Sequence, residues 1–217
     1  EVYIAVSGRE IEEYADSINA KWIPDRKESY RGCGNAVADA VDEIEKRTSK
    51  KVDIAVLIQG DEPMIVPEMI DMAVKPMLED PSIHIVNLMA PIRSVEEHED
   101  PNCPKVVVDR NNNALYFSRE PIPSAKKWNK KNLRPMWKQV CIIPYNRKYL
   151  AELSQMEPGV LEQVESIDMN RILEYGQKVK MVPENFETYS VDTPADLEKV
   201  SRYMKNDPLL AKYVARA

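Results

Sequence analysis

Histidine is almost missing from this chain: His84 and His98 are the only two in 217 residues. A zinc centre built on imidazoles is therefore not expected, and any metal would be a hard divalent cation held by oxygen ligands. Cysteine is scarce too. Cys33, Cys103 and Cys141 are scattered, odd in number and without a C-x-x-C pair. That pattern excludes a disulfide framework and suits a reducing, cytoplasmic setting. No stretch approaches the roughly 20 apolar residues of a membrane span, and EVYIAVSGRE lacks the basic start and apolar run of a secretory signal. Positive charge is in deficit: the net charge of -6 argues against broad nucleic-acid binding. A local group of Arg and Lys can still take a small anion.

What is present alternates between strand and helix patterns. VYIAV reads as a buried strand, and REIEEYADSINAK follows with Ile11, Tyr14, Ala15 and Ile18 at helical spacing. KWIP is a short strand, PDRKESYRGCGN a polar loop, and AVADAVDEIEKR a second amphipathic helix. VDIAVLI is apolar on both faces, as in a covered parallel sheet, and VPEMIDMAVKPML opens a helix with Pro in its first turn. This order predicts an α/β fold with a doubly wound, mixed but mainly parallel sheet. The middle differs. PKVVVDRNNNALYFS is two β-rich runs around an asparagine-rich turn, KQVCIIPYN is another strand, and a basic, proline-rich loop lies between. We expect one domain over 1–217 with a hairpin lobe inserted at 102–145. LEQVESIDMNRILEYG and TPADLEKVSRYMKN then read as single helices flanking the strand KVKMVPE.

In doubly wound sheets ligands bind beyond the carboxyl ends of the strands, and QGDEP stands at such an end. It presents Gln59, Gly60, Asp61 and Glu62. SVDTPADL likewise places Asp192 after a β-type run. Two strand-end carboxylates, Asp61 and Asp192, can share one divalent cation, although Asp192 beside Thr193 and Pro194 also reads as an ordinary helix start, and Glu62 as a turn acid. Arg119 in ALYFSREPIP can orient an anion through its fork, or simply cover an aromatic face. Glu162, Glu165, Asp168 and Arg171 recur every three residues, the pattern of a solvated ion-pair face. Arg26, Lys27 and Arg31 lie among glycines and can approach a phosphate or base.

Taken in order, LIQGDEPMI, PNCPKVVVDRNNNALYFSREPIP, ESIDMNRILEYG and YSVDTPADLEKV resemble the CMP-3-deoxy-manno-octulosonate synthetase group of cytidylyltransferases. The likeness implies a nucleotide-diphospho-sugar transferase type of fold and a reaction of CTP with an acidic sugar, giving a CMP-sugar and pyrophosphate. It implies that Asp61 and Asp192 hold Mg²⁺, that Gln59 stands where sugar and nucleotide meet, and that Arg26, Gln59 and Gly60 face the nucleotide. Lys105, Arg119, Gln139, Tyr145, Asp168 and Arg171 fall to the acceptor. A homodimer built through the hairpin, and a place in lipopolysaccharide biosynthesis, are further implications.

The chain also departs from that pattern. The family's P-A-R-x-x-S-x-R-x-x-G-K phosphate loop is absent, and VYIAVSGRE stands where the family's second strand is usual, so the expectation is of a chain lacking its amino terminus. Ala36 replaces an expected Arg. Gln139 and Ile143 replace a His and a Tyr, and Asp168 and Met169 stand at Glu and Gln positions. Unmatched polar groups are costly in a buried site. Two alternatives follow: another acidic acceptor, such as a related keto-deoxy sugar acid or a phosphonate, or a non-catalytic binding homologue.

Overall fold

The chain opens with a parallel strand–helix–strand unit: β1 (Ile4–Val6), α1 (Arg9–Ser17) and β2 (Trp22–Pro24). The computed structural model describes residues 1–25, 32–127, 136–207, 209–210 and 212. Arg26, Lys27 and Arg31, and the basic stretch 128–135, lie outside these residues. Helix α2 (Cys33–Thr48) buries Gly34, Ala38 and Val41 on one face. It stops at Ser49, whose φ of 57° leaves the helical region, and carries Lys46 and Arg47 in its last turn, where the helix dipole favours cations. Strand β3 (Ile54–Ile58) leads through QGDEP into α3 (Pro67–Glu79). Pro67 sits at the first turn, where its missing N–H costs no hydrogen bond. Met69, Ala73 and Met77, four apart, form the buried face of that helix.

Strand β4 (Val86–Pro91) is buried along almost its whole length. The short α4 (Val95–Glu99) follows, capped by Ser94, which accepts the Glu97 N–H at 3.1 Å. Strands β5 (Lys105–Val108) and β6 (Ala114–Ser118) form the expected hairpin. Its turn is closed by the Asp109 carboxylate, which accepts the N–H groups of Asn111 and Asn113 at 2.8 and 2.7 Å. Next come β7 (Trp137–Val140) and β8 (Ile142–Asn146), one extended run broken at Cys141. The chain finishes with α5 (Arg147–Leu153), α6 (Val160–Glu165), α7 (Met169–Glu174), β9 (Lys180–Pro183) and α8 (Pro194–Met204).

The mixed α/β class holds, but among the described residues parallel pairing is confined to β1–β2 and β4–β9. The ladders β3–β8, β4–β7, β5–β6 and β5–β7 are antiparallel, so the sheet is not mainly parallel. Apolar runs report burial on both faces, not strand direction. The hairpin expected over 102–145 is part of the five-stranded order β6-β5-β7-β4-β9, and that segment ends inside β8.

The break at Cys141 shapes the molecule. Before it, β7 pairs with β5; after it, β8 pairs with β3. Strand β7 runs along β4, and Ile85, just ahead of β4, makes an isolated bridge to Tyr145 of β8. The end of β3 and the start of β5 therefore approach the same bent strand and diverge from it, leaving a crevice. Below lies a core containing Phe117, Tyr145, Leu150, Met169 and Ile172, with a second cluster under α3.

The single helix expected over LEQVESIDMNRILEYG is two. Ser166 adopts a left-handed conformation with φ 53°, ending α6 and turning the chain into α7. Glu162, Glu165, Asp168 and Arg171 consequently do not share a solvated face: Glu162 and Arg171 are buried against each other. No helix among the described residues is long and apolar enough to cross a membrane.

Candidate active site

The crevice opens into a cavity of about 1210 Å³, lined by Gln59, Asp61, Glu62, Gln139, Asp168 and Asp192 among others. The amino edge comes from QGDEP. The Gln59 N–H reaches the Cys141 carbonyl at 3.4 Å, the last bond before β3 leaves the bent strand, and the Glu62 N–H closes a turn on the Gln59 carbonyl at 3.3 Å. The Gln59 side chain lies along the wall, its Nε2 donating to Cys33 Sγ at 3.3 Å. Gly60 is exposed, and a Cβ built there would meet nothing within 4 Å.

The opposite edge comes from the other end of the chain. The Val191 N–H donates to the Asp61 carbonyl at 2.9 Å, so Asp61 and the residue before Asp192 are held directly together. Thr193 caps α8, exchanging hydrogen bonds with Asp196 in a capping box. The helix-start reading of Asp192 therefore belongs to its neighbours. Asp192 instead accepts the Ser190 hydroxyl at 2.8 Å and faces the cavity. Burial, and then the charge of Asp192, push the Asp61 carboxyl above the ordinary range.

Glu62, read from sequence as a turn acid, is more strongly perturbed. Burial and the charge of Asp61 raise it to about 7 against the opposing pull of Lys138, and its Oε2 is buried without a hydrogen-bond partner. Among the described residues, neither Asp61 nor Asp192 makes an ion pair, and no group of three or more His, Cys, Asp or Glu is placed to hold a metal. Two carboxylates outside any ion pair, with the charge of Asp192 bearing on Asp61, nonetheless fit a hard cation. Mg²⁺ commonly takes one or two carboxylates and completes its shell with water and phosphate oxygens.

The remaining predicted residues divide. Asp168 lines the cavity, its Oδ2 accepting the Gly34 N–H at 3.3 Å, while burial raises its carboxyl. Gly32 is needed opposite it, since a Cβ there would lie 3.1 Å from the Asp168 Cβ. Gln139 lines the cavity with its amide tied to Asn87. Arg119 also lines it, but its guanidinium donates to the carbonyls of Glu165, Pro101 and Ser166.

Three predicted residues sit behind the walls. Lys105 is fully buried, its ammonium on the Asp100 and Arg119 carbonyls at 2.7 and 2.5 Å. Arg171 is buried against Glu162, with a further bond to Asn35. Tyr145 is also fully buried, and burial raises its hydroxyl well above the usual phenol range. Arg26 lies outside the described residues.

Three cations of the cavity were missed, the first being Arg93, whose Nη2 donates to the Asn185 carbonyl and Oδ1 at 3.3 and 3.2 Å. Lys138 is paired with Glu97 at 2.7 Å, and Lys199 lies with its ammonium 3.6 Å from the centre of the Tyr189 ring. Lys199 stands about one and a half turns along the helix that starts at Pro194, so helical spacing was the available signal.

A sequence model of the family described as "Cytidylyltransferase" matches residues 1–202. The 3-deoxy-manno-octulosonate cytidylyltransferase of Pelobacter propionicus is 43% identical over 155 residues, covering 68% of this chain and 61% of that protein. The enzyme of the same name from Geobacter sulfurreducens is 36% identical over 194 residues, covering 82% and 78%. The chain thus spans less than two thirds of the length of the first relative. A solved structure of CMP:2-keto-3-deoxy-manno-octonic acid synthetase complexed with CTP superposes with a TM-score of 0.80 at 30% identity, covering 94% of this chain and 80% of the other. A 4-diphosphocytidyl-2C-methyl-D-erythritol synthase from Anaerococcus prevotii, at 12% identity and a TM-score of 0.59, shares the fold.

Proposed function

The chain belongs to the cytidylyltransferase family, and from that premise we propose that it transfers the cytidylyl group of CTP to an acidic sugar of the 3-deoxy-manno-octulosonate type. A sugar hydroxyl oxygen forms a bond to the α-phosphorus. The bond from that phosphorus to the bridging oxygen breaks, pyrophosphate leaves with the electron pair, and the hydroxyl proton is released. Such transfers need little covalent help from the protein; positioning and charge stabilisation dominate.

The observation that carries the reading is the meeting of Asp61 and Asp192 across the Val191–Asp61 hydrogen bond, at the rim of a cavity large enough for two substrates. These two carboxylates would hold Mg²⁺. When bound, the ion polarises phosphate oxygens and lowers the pKa of a coordinated oxygen nucleophile. The chain's own part is to place Gln59 beside that pair and Asp168 and Gln139 across from it. A homodimer is part of this proposal; Leu115, Val160 and Val164, near the hairpin, are 61%, 70% and 76% exposed.

The test is pyrophosphate release from CTP and Mg²⁺ with a panel of acidic acceptors. Release with the octulosonate supports the reading, release only with another acid moves the acceptor, and no release together with no CTP-dependent thermal shift ends it.

A further inference from the structure

Gln139 and Asn87 together fix which atoms the cavity wall shows to a ligand. Asn87 is fully buried on β4, and both hydrogens of its Nδ2 are committed, to the Val140 carbonyl at 2.6 Å and the Leu88 carbonyl at 3.0 Å. With its donors spent on two carbonyls, the Asn87 amide cannot be reversed. Its Oδ1 must therefore accept, and it does so from Gln139 Nε2 at 2.7 Å. That in turn fixes Gln139. Turning its amide over would set Oε1 against Asn87 Oδ1, two acceptors with no hydrogen between them. Gln139 lines the cavity, and its Oε1 has no hydrogen bond within the described residues.

We infer that Gln139, held by Asn87, is a specificity-determining residue whose Oε1 accepts a hydrogen bond from a hydroxyl or ammonium group of the acceptor. This deepens the proposed function and rests on it. The oxygen end repels an acceptor's carboxylate or phosphate, so the acidic group of the sugar binds elsewhere and Gln139 reads a neutral or cationic donor. A histidine at this position can offer a donor or an acceptor as its tautomer changes. The Asn87–Gln139 pair has no such freedom. The device thus selects acceptors by the presence of one donor group, and Asn87 is its positioning residue.

The experiment is a ligand–protein cycle. Wild type, Gln139→Met and Asn87→Ser are assayed with the octulosonate and with its monodeoxy and mono-O-methyl analogues, by pyrophosphate release and by calorimetric titration. In wild type, one deoxy position and the matching O-methyl position should lose about 10- to 100-fold in acceptor affinity, the scale of one unmatched polar group. Gln139→Met should lose a similar factor with the parent sugar, show little further loss with that analogue, and leave the KM for CTP within about twofold, since the lost contact is local to the acceptor. Asn87→Ser should reduce the discrimination ratio while the KM for CTP holds; should it fail to fold, the Gln139→Met cycle decides alone. Additive losses at every analogue position overturn the inference, as does wild-type indifference to all of them. Absence of pyrophosphate release with any acceptor is a failure of the proposed function instead, and calorimetry with the same analogues still decides whether Gln139 reads a donor.

Discussion

Charged residues at the end of β3 and those around α6 and α7 differ in how completely the protein satisfies them. Around α6 and α7 the buried Glu162, Asn170 and Arg171 all have protein partners. Glu165 collects the Arg119 N–H and the Ser118 and Tyr116 hydroxyls. The Asn170 amide pairs with both the N–H and the carbonyl of Phe117, completing the free edge of β6. Arg171 is spent on Glu162 and Asn35. At the end of β3, by contrast, Asp61 feels the charge of Asp192, neither makes an ion pair among the described residues, and Glu62 keeps a buried oxygen without a hydrogen-bond partner. Perturbed carboxylates gathered at a cleft are a common mark of a binding site. The first region is largely satisfied within the protein; the second leaves its carboxylates to the cavity and to what enters it.

Mutations should break that contrast cleanly. Asp61→Asn and Asp192→Asn should each lower Mg²⁺-dependent pyrophosphate release by about 100-fold or more, the scale of removing one electrostatic group from a reacting centre, while the melting temperature without metal holds or rises. Near-normal turnover in either variant would place the cation elsewhere. Arg171→Met should do the opposite, destabilising by roughly 3–5 kcal/mol because Glu162 is left buried and charged; chemical denaturation measures it, and restoration by the double change with Glu162→Gln would show that the pair, not either residue, matters. Asn170→Ala strands one N–H and one carbonyl of Phe117 and should cost about 1–3 kcal/mol, again by denaturation.

The smallest effects lie in the pH dependence, and their signs differ between neighbours. Although burial opposes it, the donors from Arg119, Ser118 and Tyr116 hold Glu165 below the usual glutamate range. Its stabilisation is present above about pH 4.3 and is lost as pH falls through the lower folded value. Asp168 is raised by burial. Its folded form keeps a proton the unfolded form has released, so stability falls as pH rises from about 3.9 through the raised value. Melting curves of Glu165→Gln and Asp168→Asn across pH 3–7 should therefore flatten opposite limbs of the wild-type profile. Matching limbs would contradict these assignments.

How much of this was legible beforehand follows the same division. Local chemistry could be read: Pro67 in a helix's first turn, the asparagine-rich turn at Asp109, and a strand ending in QGDEP. The meeting of Asp61 with Asp192 could be suggested by resemblance alone, since spacing in sequence says nothing about a bond between residues 130 apart. The misread regions share one cause. The repeat of charge through Glu162, Glu165, Asp168 and Arg171 has helical spacing, but Ser166 breaks the helix and turns two of those residues inward. Lys105 and Tyr145 carry the right chemistry for a ligand, yet packing set them behind the wall. Periodicity identifies a face; only tertiary contacts decide what that face meets.

The single bond from the Val191 amide to the Asp61 carbonyl has one more implication. It makes the meeting of Asp61 and Asp192 a joint product of early and late segments, so a polypeptide emerging from the ribosome could complete most of its sheet before the two acids come together. For the proposed Mg²⁺ site, affinity would then appear only when α8 docks, and Mg²⁺ titration of refolding protein would time that docking.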